Sequence, residues 1–497
     1  MRKPNPARRN GGRIETVINL LALVLFAVLA VGFVATAIST QFLTPALIVV
    51  LIAVVCLLLV GVLLLRRSRR GAVRASGSVL AMTLCLVFAL GIGYIRIGLN
   101  TLGRITSTDA SQTLTMAVYV KEGDDRAVED VLSAPLGILA TDQDNTQAAI
   151  TKLEQEYSVT LTTQPYTSPA ELVDGLENGQ VDAILVAQTR LGVLEDMEDY
   201  APILAGLREV KTFQIQLSDN QQATQSAPPV DTVFTVYISG NDTRSNDIND
   251  TQRSDVNIIA TVNPKTRQVL LLSTPRDYFI PLSISGGVKD KLTHAGKYGI
   301  DVSMDTLEML YGINLDYYFK VNFSGFEGII DALGGIEVDS KYEFSSKISD
   351  HPIHYNKGIN HLNGEEALYY VRERYSFPNG DFQRGIHQMQ VIQAVMDKVL
   401  SPTILVRYAS MMDAMADCFR TSVPSDLIAA LVRDQLGNGG NWNIVSYYVS
   451  GHEEKHTTYS APKSKASVII PNQSTVETAK KLMEQVRNGE VISQPQA

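Results

Sequence analysis

The sequence predicts an α/β protein on a membrane anchor. The expected order is three N-terminal transmembrane helices, a small α/β accessory domain, then an α/β/α sandwich with a mixed central sheet. Three observations carry this. Long apolar stretches fill the first hundred residues, strand-like and helix-like patterns alternate from Leu114, and two nearly continuous apolar runs flank the turn "NPKT" at 263–266. Alternating strand and helix patterns point to layered α/β architecture, and a strand apolar at successive positions is covered on both faces.

The anchor comes first. Thr16–Ile38, Phe42–Leu65 and Val79–Leu99 contain no acidic residue, and each has about the ~20 residues that cross a ~30 Å hydrocarbon core. A cleaved signal peptide is a poor reading, because a second apolar stretch follows the first after a few residues. Arg2, Lys3, Arg8, Arg9 and Arg13 precede the first stretch, and Arg66, Arg67, Arg69, Arg70 and Arg74 separate the second from the third. The positive-inside rule therefore puts residues 1–15 in the cytoplasm, 16–99 in the membrane and the rest outside.

Charge sharpens the division. Residues 1–76 hold ten basic residues against one acidic, a net of +9, so against the chain's −9 the remainder carries −18. An outer portion that acidic is not built for general attraction to nucleic acid, and an arginine cluster within it needs a local reason. Cys56 and Cys85 lie in spans and Cys418 stands alone outside. No disulfide within the outer part and no cysteine metal site follow from that spacing.

The accessory domain is expected over 110–217. "TMAVYVK" and "LGILA" read as strands, and "NTQAAITKLEQEY" as an amphipathic helix capped by Asn145. "SVTLTT" reads as a strand, "SPAELVDGLENG" as a helix opened by Ser168-Pro169 and closed by Gly179, and "VDAILVA" as a last strand. That order implies parallel pairing. With no glycine-rich phosphate loop and no cluster of His, Cys and acids, the unit reads as a spacer.

Residues 218–231 are polar, carry Pro228 and Pro229, and read as a linker before a second domain at 232–449 and a tail at 450–497. In the second domain "TVFTVYISGND" is a strand with Asp242 and Arg244 just beyond it. "VNIIATV" and "VLLLST" form a hairpin; if Asn263 pairs with Thr266, Asp255 lies opposite Thr274 and Arg253 opposite Arg276. Asp242, Arg244, Arg253, Asp255, Arg276 and Asp277 then converge from three strand ends, the place where α/β sheets bind ligands. One such Arg–Asp pair is ordinarily a weak surface salt bridge. Six converging charged residues are a site.

Further along, "ALYYVRERY" supplies Arg372 and Arg374, on one side of an extended segment or on different sides of a helix. "GDFQRGIHQMQ" opens a helix with Asp381 as its cap and puts Arg384 and Gln388 on one face near its N-terminal end, where the dipole favours anions. Lys291 in "DKLTHA" adds a cation, while the adjacent His294 alone reads as an ordinary hydrogen-bonded residue. Several arginines with two or more carboxylates suit a phosphate-bearing molecule held with a divalent cation.

These motifs resemble the LytR-CpsA-Psr family, specifically its CpsA-like members with three membrane spans and an accessory domain. The matching stretches are "SGNDTR", "RSDVNIIATVNPKT", "STPRD", "DKLTHA", "YYFKVNFSGFEGIIDALGGIEV", "GEEALYYVRER" and "GDFQRGIHQMQ", in order from about Phe234 to Gln390. The resemblance implies a phosphotransferase moving a glycopolymer, capsular polysaccharide or teichoic-acid-like, from a polyprenyl-pyrophosphate carrier to a peptidoglycan hydroxyl. It further implies Mg²⁺, or Mn²⁺ in its place, and the membrane and capsule assembly proteins as partners. In family terms Asp242 and Asp255 match the metal-associated acids. Arg253, Arg276, Arg372, Arg374 and Arg384 match the pyrophosphate-binding arginines, with Gln388 a further contact and Lys291 a signature lysine. Two positions depart from the family: Thr293, where Asn is common, and His387, where Arg is common. A long apolar cavity for the polyprenyl tail is also implied, with "VNFSGFEGIIDAL" as part of its lining. Asp242 or Asp277 would take the hydroxyl proton. The alternatives are a pyrophosphatase acting on the lipid-linked glycan and a non-catalytic scaffold; a DNA-binding regulator conflicts with the topology.

Overall fold

The computed structural model describes residues 7–494 apart from 107–112, 196, 198, 217–228, 230, 242–251, 349–351, 379, 400–403 and 416–417. The chain divides into two units. One comprises Met1–Arg104, Leu405–Ala416 and Pro424–Asn441, the other Ile105–Ile404, Asp417–Val423 and Trp442–Ala497.

The first unit is built on α1 (Ala7–Ser39), α2 (Pro45–Arg66) and α3 (Gly71–Thr106). All three contain stretches long and apolar enough to cross a membrane. Their contact faces bury Phe26, Ala30, Val62, Ala81 and Phe88, while Leu57 and Val31 point outward at 71% and 69% exposure. Such outward leucines and valines suit lipid and would be an aggregation liability in water. Thr44 caps α2 by accepting the amide of Leu47 at 3.3 Å, with Pro45 in the first turn. At 36 residues α3 outruns the predicted 79–99 span, because no proline or glycine pair interrupts it.

The second unit begins with a five-stranded accessory sheet. Its strands are β1 (Thr113–Lys121), β2 (Leu136–Leu139), β3 (Thr163–Tyr166), β4 (Ala183–Ala187) and β5 (Leu207–Gln216), in the order β3-β2-β4-β1-β5. β2 is parallel to β3 and β4 as predicted, but β1 runs antiparallel to β4 and to β5, so the sheet is mixed. The helix α4 (Gln143–Tyr157) follows Asp142 rather than Asn145, whose amide instead reaches back to the Asp142 carboxylate at 2.7 Å. It ends at Ser158 in the left-handed region, φ 53°. This turn delays the strand predicted at 158–163: Val159 and Leu161 pack as loop against the core, and β3 starts at Thr163. The helix α5 (Pro169–Glu177) has its predicted cap, Ser168 accepting the amide of Glu171 at 3.2 Å. The 218–231 linker lies almost wholly outside the described residues.

The larger sheet holds β6 (Phe234–Asn241), β7 (Ser254–Asn263), β8 (Gln268–Ser273), β9 (Tyr317–Asn322), β10 (Phe419–Thr421) and β11 (Asn443–Tyr448), in the order β10-β9-β6-β7-β8-β11. β6 and β9 are parallel, β8 and β11 are parallel, and β7 is antiparallel to both neighbours. The central strands are buried along almost their whole length, as their unbroken apolar runs require. On one face Tyr237, Ile259, Leu270 and Leu272 share a core with the helices Ile300–Tyr311 and Gln473–Arg487. On the other face, α7 (Gly380–Val399) crosses the end of β8: Gly385 meets Ser273, whose side chain points opposite to Leu272. The result is the predicted three-layer sandwich.

One boundary changes. The segment read as a tail from 450 supplies a strand pair, Gly451–Thr457 with Lys465–Pro471, and a helix whose Val476, Ala479, Met483 and Val486 complete the same core. Its apolar residues sit at 3.6-residue spacing and have no other surface to cover.

Candidate functional site

Because β7 is antiparallel to neighbours that pair with parallel partners, the C-terminal ends of β6, β8, β9 and β11 meet the start of β7 at one sheet edge. The hairpin register sets what faces what there. Asn263 pairs with Gln268, not Thr266, because the connection holds four residues and Arg267 takes φ 51°. The two-residue shift keeps every side chain on its predicted face. It moves Asp255 opposite Arg276 instead of Thr274, and Arg276 Nη1 donates to Asp255 Oδ1 at 2.7 Å. The charged ends of the hairpin thus pair, with Arg253 one step outside.

Asp277 extends the chain of charges. Its Oδ2 lies 3.5 Å from Arg276 Nε and its Oδ1 3.2 Å from Lys291 Nζ, with side chains 17% exposed or less throughout. Burial alone would raise the Asp277 carboxyl. Lys291, Arg276 and Arg384 around it reverse that and hold it below the usual carboxylate range. Asp255 receives a second bond on the same oxygen, from Thr293 Oγ1 at 3.4 Å, so this hydroxyl occupies the position where the family commonly has Asn. Among the described residues Asp255 Oδ2 accepts no hydrogen bond.

Beside this pair lies an open cleft lined by Asp255, Thr274, Arg276, Arg384, Gln388 and Tyr448 together with Ser273, Pro275, Phe382, Gly385 and Val449. α7 reaches it because residue 385 is glycine: a Cβ there would lie 2.9 Å from Ser273 Oγ. Arg384 and Gln388, one turn apart, face the cleft from the N-terminal half of the helix, as predicted. The helix starts at Gly380, one residue before the expected cap Asp381. His387 points away into an aromatic cluster, stacked on Phe344 at 5.2 Å. Its Nδ1 donates to the Tyr370 carbonyl at 3.0 Å, so Nε2 accepts from the Gln383 amide at 2.9 Å. Burial pushes its pKa down to about 4, so the ring is neutral. The second departure from the family pattern therefore lies away from the cleft lining.

Not every predicted residue lines the cleft. Arg372 ends the helix Gly364–Arg372 with its guanidinium 4.7 Å over Phe323. Arg374, in the extended residues beyond, stacks on Tyr375 and donates to its hydroxyl at 2.7 Å. Arg253 donates to the carbonyl of Gly192 in the accessory domain. Asp242 and Arg244 lie outside the described residues. The cleft lining includes no residue of Val321–Leu333, so the predicted lipid-facing stretch is elsewhere than at this cleft. His294 is what it was expected to be, a buried group bonded to Asp290 at 2.8 Å.

A buried polar network went unread. Tyr237 Oη donates to Asn257 Oδ1 at 2.7 Å and meets Ser254 Oγ at 2.9 Å, and Ser254 Oγ meets Ser239 Oγ at 2.8 Å. It ties the end of β6 to the start of β7 directly beneath the charged edge. The signal was present: Ser239, Asn241, Ser254 and Asn257 interrupt otherwise apolar strands where a buried polar group must find partners.

Comparison with known proteins follows the same outline. The profile described as the LytR_cpsA_psr family matches residues 206–481. A Bacillus cereus protein named polyisoprenyl-teichoic acid–peptidoglycan teichoic acid transferase TagU is 38% identical over 179 residues, 36% of this chain and 57% of that protein. Its Enterococcus faecalis namesake is 36% identical over 202 residues, 40% of this chain and 65% of that one. This chain thus spans 57% and 65% of the length of these relatives. Among solved structures, Bacillus subtilis TagV aligns with 53% of this chain and 99% of its own at 28% identity and a TM-score of 0.43. TagT bound to LI-WTA aligns with 53% of this chain and 94% of its own at 27% identity and a TM-score of 0.42. With the profile covering more than half its length, and the paired hairpin ends and arginine-bearing helix inside the matched region, the chain belongs to the LytR-CpsA-Psr family.

Proposed function

We propose that this chain is a membrane-anchored phosphotransferase. It would move a glycopolymer from a polyprenyl-pyrophosphate carrier to a peptidoglycan hydroxyl. The observation that carries the reading is the row Asp255–Arg276–Asp277–Lys291 beside Arg384 at a strand-end cleft. Among the described residues three cations against two carboxylates leave a net positive site in an acidic chain, which suits a pyrophosphate. The names of the relatives, teichoic acid transferases acting on polyisoprenyl-linked substrate, support that donor and acceptor.

In this reading Arg276 and Arg384 hold the phosphate oxygens and Lys291 adds a point charge. The acceptor oxygen attacks the sugar-side phosphorus, the bond from that phosphorus to the polyprenyl phosphate oxygen breaks, and polyprenyl phosphate leaves. The hydroxyl proton passes to a carboxylate. Asp277 suits that task badly, since a carboxyl held below its usual range by three cations has low proton affinity. Asp277 instead keeps Lys291 and Arg276 in place.

The residues present fit a divalent cation. Asp255 keeps one oxygen without a hydrogen bond among the described residues and has a hydroxyl beside it, and hard-oxygen donors with substrate phosphates suit Mg²⁺. Asp255 and Asp242 would hold it, and the ion would offset charge on the pyrophosphate.

The site would face outward. The basic residues before the first apolar stretch and between the second and third support a cytoplasmic N-terminus and an extracytoplasmic position for the residues after the third.

The test uses the full chain in membranes with a polyprenyl-pyrophosphate glycan, peptidoglycan and Mg²⁺, comparing wild type with Arg276→Ala. Covalent attachment should fall by roughly 10²–10³-fold in the variant. Equal product from both, or free glycan phosphate in place of attached polymer, refutes the reading.

A further inference from the structure

By sequence the accessory domain is a spacer; its contacts say otherwise. Parallel strands ordinarily bind ligands at their carboxyl edge. Here that edge is turned onto the larger domain. The turn after β2 supplies Asp142, and α6 (Gln188–Leu191), after β4, supplies Arg190. Arg190 Nε and Nη2 each lie 3.0 Å from Asp142 Oδ2, and Arg190 is 1% exposed. Its guanidinium stacks 4.1 Å over Tyr298, in the segment that follows Lys291 and His294. Two residues beyond Arg190, the carbonyl of Gly192 accepts from Arg253 Nη2. The Lys297 ammonium lies close over Gly192, where a Cβ would meet it. At the far side Lys463 meets Asp174 at 2.7 Å and Ser464 meets Asp199 at 2.8 Å.

We propose that the accessory domain positions Arg253 for the pyrophosphate. This rests on the donor-binding reading above. Arg253 immediately precedes β7 and is two residues before Asp255, so it stands at the sheet edge that carries the cleft, where β7 is bulged between Ser254 and Val256. A long flexible side chain loses rotamer freedom when it grips a ligand; anchoring one nitrogen of the fork to a backbone carbonyl removes part of that loss beforehand. Arg190, with Asp142 and Tyr298, is a positioning residue: it touches no substrate and acts by holding the Gly192 carbonyl in place.

The experiment measures equilibrium binding of polyprenyl pyrophosphate to the full-length protein in detergent. Arg190→Gln should weaken binding about five- to tenfold, and Arg253→Ala by at least as much. The double variant should bind within about twofold of Arg253→Ala alone, because Arg190 acts only through Arg253. Tyr298→Leu, which keeps apolar bulk and removes the stacking face, should reproduce Arg190→Gln and guards against a folding defect in the latter. Additive losses, unchanged or tighter binding by Arg190→Gln, or no binding by wild type, would overturn the proposal. Coupled binding with no transfer product would instead defeat only the assignment of the reaction.

Discussion

Asp277→Asn separates two roles that a buried carboxylate can play. In the structure its side chain is 12% exposed and lies between Arg276 and Lys291. Arg276 retains Asp255 in the variant, but Lys291, 11% exposed, has its ion contact with Asp277 removed. Removing one partner of such a buried pair costs roughly 3–5 kcal/mol. At about 2–3 °C per kcal/mol for a domain of this size, the unfolding midpoint of the outer portion should drop by roughly 6–15 °C. The pH dependence has a definite sign. A carboxyl whose folded pKa is depressed stabilises above its unfolded value, about 4, and that contribution disappears as pH falls through the folded pKa. The gap between wild type and variant, measured by scanning fluorimetry of detergent-solubilised full chain, should therefore be full at pH 7 and narrow below pH 4. Transfer, assayed below the variant's melting point, should fall less than about tenfold. Loss of transfer by roughly 10²–10⁴-fold with the midpoint unchanged would make Asp277 the base and refute the role given to it here.

Three further outcomes follow from named contacts. Gly385→Ala drives a methyl against Ser273 Oγ and should cost about 1–3 kcal/mol by chemical denaturation; adding Ser273→Gly should recover most of it. The ring of His387, neutral with a pKa near 4, is protonated more readily when unfolded. Stability should thus be full above pH 6.5 and decline by about 3 kcal/mol as pH falls from 6.5 to 4, a slope that His387→Gln removes from the denaturation profile. Chelation by EDTA should abolish transfer and added Mg²⁺ restore it, whereas Asp255→Asn should need several-fold more Mg²⁺ for half-maximal rate.

Much of the architecture was legible because burial writes itself into runs and periods. The apolar anchor, the doubly covered hairpin and the amphipathic helix bearing Arg384 and Gln388 all read correctly from local pattern. What failed depended on turns or on distant contacts. The hairpin register hinged on one residue, Arg267, adopting a left-handed backbone that arginine seldom takes. The contact of Arg253 with Gly192 joins residues 61 positions apart in different domains, and no spacing rule announces it. His387 looked like a gap in the binding motif, yet its partner is a backbone carbonyl inside an aromatic cluster.

The helix Gln473–Arg487 and the strand before it close a core opened by Tyr237 and Ile259 more than two hundred residues earlier. During synthesis the charged edge is therefore made long before the segment that seals the opposite face of its sheet. Until that segment emerges, Leu270 and Leu272 confront water, and contacts this remote in sequence form slowly. Loss of residues 451–487 would leave an open hydrophobic sheet, so this segment acts as the latch that completes the fold.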